Sequence, residues 1–150
     1  MKKILFVCLG NICRSPMAEF LMKDMVKKRG IENDFFIESA GTSNEEEGNP
    51  VHEGTKRKLD EFGISTKGKK ARKMTKEDYQ KFDYIIAMEK WNIRGIYRII
   101  GSDSQNKVYR LLDFSNHPRD IDDPWYTGNF DKTYEDIYEG IEFFLKYLGY

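Results

Sequence analysis

"ILFVCLGNICRSP", residues 4–16, decides how the chain begins to fold. Ile4, Leu5, Phe6 and Val7 run without polar alternation, which is how a parallel strand covered on both faces reads. Pro16 suits the first turn of a helix. Met17, Phe20, Leu21 and Met25 then follow, mostly three or four residues apart, up to Gly30. The stretch is therefore a strand, a tight loop and a helix. Both cysteines of the chain, Cys8 and Cys13, fall in that loop.

The same alternation continues along the chain. "DFFIES" (34–39), "FDYIIAM" (82–88) and "NKVYRLL" (106–112) read as further strands. Helices are expected over about 51–62, stopping at Gly63, over 91–99 and over 131–148, the last preceded by an irregular segment with Pro118 and Pro124. Strands alternating with helices give a parallel sheet with right-handed crossovers. The expectation is α/β: a single doubly wound domain over 1–150, with a four-stranded parallel sheet flanked by helices on both faces. A chain of 150 residues holds one well-buried core and is too short to expect two domains.

Lys plus Arg equal Asp plus Glu at 25 each, so no overall field recruits nucleic acid or anionic lipid. Any anion specificity must be local. Lys2 and Lys3 before an apolar run invite comparison with a signal peptide, but no small-residue cleavage site follows, and Asn11 and Arg14 interrupt the run. The expectation is a cytoplasmic chain with reduced thiols and no membrane insertion.

In doubly wound sheets, ligands collect at the carboxyl ends of the strands, where the Cys8 loop sits. Backbone N–H groups and the positive end of the helix would converge there on an anion. Gly10 and Asn11 tolerate the left-handed conformations of a tight cradle. Arg14 adds a planar fork for two oxygens of one phosphate, and the same surroundings favour a thiolate at Cys8. Cysteine is often only a small buried hydrophobe, and Cys-x5-Arg alone is a weak signal. The strand before, the helix after and Ser15 beside Arg14 favour chemistry.

A phosphate ester's leaving oxygen also needs a proton, which a carboxylic acid can supply. Asp122 and Asp123 both stand just ahead of Pro124, and proline pushes the residue before it into an extended conformation. Trp125 and Tyr126 follow at once, as rings able to wall a cleft for an aryl phosphate.

These residues resemble the low molecular weight protein tyrosine phosphatases, whose signature C-x-G-N-x-C-R-S stands at Cys8–Ser15. "SAGT" (39–42), "GIS…ARK" (63–73) and "DDPWY" (122–126) carry the likeness over nearly the whole chain. The resemblance implies that Cys8 attacks phosphorus and that Arg14 grips the phosphoryl oxygens. Leu9, Gly10, Asn11, Ile12, Cys13 and Ser15 then form the phosphate-binding loop, which Asn11, Ser15 and Ser39 brace, and Ser15 also donates to the thiolate. Asp123 is implied as acid and then base, and Trp125 and Tyr126 as the cleft for phosphotyrosine. The resemblance further implies a monomer that acts on phosphotyrosine-containing proteins without cofactor or metal, and a Cys8–Cys13 disulfide that protects the nucleophile from oxidation. The similar protein arginine phosphatases usually have threonine where this chain has Ile12.

Two departures stand out. Lys69 occupies a position where many members have a histidine behind the loop, which bears on the support of Asn11. Glu45, Glu46 and Glu47 stand in the loop after "SAGT", which in the family often offers an aromatic or aliphatic side chain to the cleft; such a run reads first as a solvated face, and where it borders the pocket it would repel acidic substrates by an amount that salt weakens. Rival readings fit less well. "GISTKGKK" (63–70) nearly spells a nucleotide-binding loop, but Lys70 stands where the magnesium-binding hydroxyl belongs and a charged helical stretch precedes it. Arsenate reductase uses a similar loop but commonly passes a disulfide to further cysteines, which this chain lacks. His52 and His117 lie too far from the cysteines for metal-ligand spacing.

Overall fold

The computed structural model describes residues Met1–Tyr150. Strand β1 (Lys2–Cys8) pairs with β2 (Phe35–Gly41) along its whole length, from Lys2 opposite Phe35 to Cys8 opposite Gly41. On its other side, Ile4–Val7 pair with β3 (Tyr84–Ala87), and β4 (Val108–Arg110) lies beyond. The sheet order is β2-β1-β3-β4 and every pairing is parallel.

The burial of β1 explains its lack of alternation. Ile4 and Phe6 belong to one core, with Met17, Leu21 and Phe144. Leu5 and Val7 belong to the other, with Phe82 and Ile96. Each such side chain, fully buried, contributes about 1.5–3 kcal/mol relative to exposure. Helices α1 (Arg14–Lys28), α2 (Glu53–Asp60) and α6 (Phe130–Tyr147) cover the first face. Helices α3 (Lys76–Lys81) and α4 (Lys90–Ile100) cover the second. A single turn, α5 (Pro124–Thr127), precedes α6. None of these helices is long and apolar enough to cross a membrane.

The structure departs from expectation at two elements. The fourth strand, expected over 106–112, is only Val108–Arg110. The Asp103 carboxylate accepts from the N–H groups of Lys107 and Val108, and Asp113 accepts from the N–H of Arg110, so side chains close both ends. Leu111 and Leu112 still enter the core, from a 3-10 turn. Helix α3 has no counterpart in the expected elements, because "KEDYQK" has no apolar stripe. Its signal was the capping box, in which Asp78 accepts from the N–H of Thr75 at 2.8 Å.

The chain leaves β1 for β2 on one side and returns to β3 on the other. The carboxyl end of β1 is therefore the point where strand order reverses, which is where such sheets bind ligands. Cys8 is its last residue.

Candidate active site

The loop after β1 is held from outside through its carbonyl groups. Thr42 N–H donates to Cys8 O, Ser43 N–H to Leu9 O, His52 N–H to Ile12 O, and Thr55 Oγ1 to Cys13 O, at 2.8–3.0 Å. Of the loop's N–H groups, that of Asn11 donates to Cys8 Sγ at 3.3 Å. Those of Leu9, Gly10, Ile12, Cys13 and Arg14 donate to no protein acceptor. With its carbonyls engaged outward and its donors free, the loop is built to receive an anion at the start of α1, where no acidic residue neutralises the first turn.

Of the two residues expected to be left-handed, only Asn11 is, at φ 59°. Gly10 serves close approach instead, since a Cβ there would lie 3.2 Å from Glu46 Cγ. Gly41 is still more constrained: a Cβ would meet Leu9 O at 2.7 Å, so the end of β2 touches the back of the loop only because it is glycine.

A polar relay braces the loop from behind. Asn11 Oδ1 accepts from the N–H of Arg72 at 3.0 Å, which fixes the amide so that Nδ2 donates to both Ser15 Oγ (2.9 Å) and Ser39 Oγ (3.0 Å). Ser39 Oγ in turn donates a hydrogen bond to Glu19 Oε1 at 2.5 Å. Ser15 Oγ lies 3.0 Å from Cys8 Sγ and 3.4 Å from Ala40 O. Having accepted from Asn11, it keeps its hydrogen for the nearer sulfur, so the relay ends on Cys8 Sγ. Lys69 completes the assembly, donating to Ser39 O at 2.8 Å and pairing with Glu19 Oε1 at 3.4 Å. Burial lowers the Lys69 pKa, and Glu19 opposes that effect. Asn11 is thus held without a histidine at this position.

Arg14 is 2% exposed. Its Nη1 donates to Glu89 Oε2 and, at 2.9 Å, to Ile121 O, and its Nη2 donates to Asp123 Oδ2 at 3.3 Å. Burial works against its charge, but Cys8, Asp123 and Glu89 outweigh that and raise its pKa. Asp123 caps α5, its Oδ1 accepting from the N–H of Trp125 at 3.0 Å, with Pro124 in the first helical turn. The cap aims the other oxygen at Arg14. Asp122 points elsewhere, exposed and 3.4 Å from Lys132 Nζ.

Cys8, Leu9, Gly10, Ile12, Cys13, Arg14, Asp123, Trp125 and Tyr126 line one cleft of about 160 Å³. Trp125 and Tyr126 are 58% and 79% exposed at its mouth. Glu45 and Glu46 border the same cleft, with Ser43, whereas Glu47 does not. Asn11, Ser15 and Ser39 stand behind the lining as the bracing set. No group of three or more His, Cys, Asp or Glu side chains has the arrangement to hold a metal ion.

Sequence reasoning missed Glu19, Arg72, Glu89 and His52. The His52 ring stacks on Phe130 at 5.3 Å and meets Trp125 edge-on at 5.5 Å, while Nδ1 caps α2 by accepting from Gly54 N–H. It ties the loop, α2 and the aromatic wall together. The helix expected over 51–62 hid its capping place, since α2 begins only at Glu53.

A model of the low molecular weight phosphotyrosine protein phosphatases matches residues 3–149. The chain is 44% identical over 144 residues to the low molecular weight protein-tyrosine-phosphatase YfkJ of Bacillus subtilis, covering 95% of this chain and 92% of that protein. The crystal structure of YfkJ superimposes with a TM-score of 0.95 at 43% identity, over 99% and 94% of the two chains. A low molecular weight protein tyrosine phosphatase from Streptococcus pyogenes gives 0.89 at 38% identity, over 100% and 95%. A drosophila arginine phosphatase gives 0.90 at 30% identity, over 100% and 99%. With the signature loop at the switch point, the chain belongs to the low molecular weight phosphotyrosine protein phosphatase family.

Proposed function

We propose that the chain hydrolyses phosphotyrosine in proteins, and small aryl phosphates, through a cysteinyl-phosphate. The observation that carries this reading is Cys8 at the base of a cleft with free loop N–H groups and Arg14 around it and aromatic rings at its mouth. The Cys8 thiolate attacks phosphorus, forming an S–P bond as the P–O bond to the phenol breaks. Protonated Asp123 gives its proton to the leaving oxygen. Water then attacks the phosphocysteine, Asp123 takes the water's proton, and sulfur departs as a thiolate that Ser15 stabilises by its hydrogen bond. Gripping the phosphoryl oxygens takes up the guanidinium donor that Asp123 now accepts, which frees the carboxyl for the leaving group. No step needs a metal.

Ile12 in the cleft and the aromatic rims favour an aryl leaving group over phosphoarginine. Initial rates on a phosphotyrosine peptide and on a phosphoarginine peptide of the same flanking sequence test this. The tyrosine peptide should be faster by roughly 100-fold, the scale that pocket contacts supply. Equal rates, or a faster phosphoarginine reaction, would overturn the assignment.

The second cysteine has a separate role in this reading. The Cys13 thiol is pushed up to about 12, first by burial and then by the charges of Cys8 and Asp123. At neutral pH it stays protonated and does not compete as nucleophile. Peroxide oxidises the Cys8 thiolate to a sulfenic acid, and Cys13 condenses with it to give a disulfide and water. At the sulfenic acid stage the charge of Cys8 is already gone, and with it one of the causes that keep Cys13 protonated before it reacts. Cys13→Ser should keep most of its starting activity but recover poorly when a dithiol follows mild peroxide. Recovery equal to that of the parent would make Cys13 a packing residue.

A further inference from the structure

A second concavity lies away from the catalytic cleft. A groove of about 760 Å³ runs along β2, with α1 as one wall and the 67–72 segment as the other. Strand β2 is the edge of the sheet, with β1 as its one neighbour.

The outer side of this edge is partly used. Gly41 N–H donates to Arg72 O at 2.8 Å, Gly41 O accepts from Met74 N–H at 2.7 Å, and Ser39 O accepts from Lys69 Nζ. Backbone groups of a strand alternate between its two edges. Both groups of Ile37 and the carbonyl of Phe35 therefore face the same outward side, as does the N–H of Ser39, which is fully buried beneath Lys69 and closed to a partner. No chain segment pairs with them. The Ile37 and Phe35 groups, on the groove lining, form a short stretch of one donor and two acceptors at the spacing an added strand requires.

The walls carry more positive than negative charge. Lys23, Lys27, Lys67, Lys69, Lys70 and Arg72 border the groove, against Glu19, Glu32 and Glu38. Lys23 and Lys69 are paired with Glu19, and Arg72 with Glu38 and Asp78. Lys27, Lys67 and Lys70 have no ionic partner, and of the three acids only Glu32 is unpaired. Phe20, Val26 and Phe36 supply apolar surface between the charges.

We propose that this groove docks an acidic, extended peptide segment of a partner protein, which adds to β2 as a further strand and sets its carboxylates against Lys27, Lys67 and Lys70. Lysine beside an open edge deters pairing by neutral or basic strands; it admits one whose charges are opposite. The edge gives the backbone complement, and the three free lysines choose the sign.

The probe is a blocked eight-residue peptide alternating glutamate and valine, titrated calorimetrically into the full chain with inorganic phosphate present to fill the catalytic cleft. Binding should persist under phosphate and weaken as salt rises. The triple variant Lys27→Glu, Lys67→Glu, Lys70→Glu, whose changes touch no catalytic residue, should hydrolyse aryl phosphate at the parental rate and bind the peptide at least ~10-fold more weakly. A peptide N-methylated at its four central amides keeps every charge but loses its strand donors, and should not bind. Absence of parental binding, displacement by phosphate, equal affinity in the triple variant, or undiminished binding of the N-methylated peptide would each overturn the proposal.

Discussion

Cys8→Ser should reduce aryl phosphate hydrolysis to background while leaving the fold intact. The change replaces one atom, sulfur by oxygen, in a small side chain at the end of β1 and leaves its core neighbours in place. It exchanges a thiolate for a hydroxyl that has no base beside it, since Ser15 Oγ and Asn11 N–H, at 3.0 and 3.3 Å, are both arranged to donate. A melting curve checks the fold, and a steady-state assay with chelator present checks the chemistry. Activity surviving in the variant, or lost from the parent on chelation alone, contradicts a metal-free cysteinyl-phosphate route. Arg14→Lys is the companion measurement. Arg14 serves Glu89 and Ile121 O through one nitrogen and faces Asp123 with the other. A lysine ammonium keeps the charge but cannot satisfy that framework and clamp two phosphoryl oxygens as well. Loss of such oriented donors costs about 10²- to 10³-fold in rate.

The two ends of the proposed catalytic apparatus left local marks in the sequence. Burial on both faces wrote Ile4–Val7 as an unbroken apolar run, and the loop and helix that follow need their special residues within a few positions of one another. The Asp-Asp-Pro step left a mark because proline restricts the residue before it, but the residues alone left Asp122 and Asp123 open, and only the family resemblance pointed to Asp123. The bracing residues were not readable, for a physical reason. Glu19 follows Ala18 and precedes Phe20 on α1, a position that reads as a solvated helix face, yet it is 3% exposed because Ser39, Lys23 and Lys69 converge on it from β2, its own helix and a distant loop. Glu89 meets Arg14 across 75 positions, and Arg72 meets Asn11 through a backbone N–H, which has no side-chain identity to read. The fourth strand was overextended because Leu111 and Leu112 are as apolar in a 3-10 turn as in a strand. In each case the deciding partner is remote or belongs to the main chain, so no window along the sequence contains it.

Asp123→Asn separates the proton from the position. Asparagine caps a helix about as well as aspartate, so the bond from Trp125 N–H that orients residue 123 is kept, and α5 and its aromatic rim stay in place. What is lost is a group able to give a proton to the leaving oxygen and take one from water. That loss should cost about 10²- to 10⁴-fold on an ester with a basic phenol and far less on one whose phenol leaves unaided. Asp122→Asn is the internal control, because its carboxylate is exposed and turned toward Lys132, and it should leave both rates near the parental values. Equal losses on the two esters in Asp123→Asn would assign Asp123 to holding Arg14 alone. A larger loss in Asp122→Asn would mean that the neighbouring carboxylate carries the proton, against the geometry that aims Asp123, and not Asp122, into the cleft.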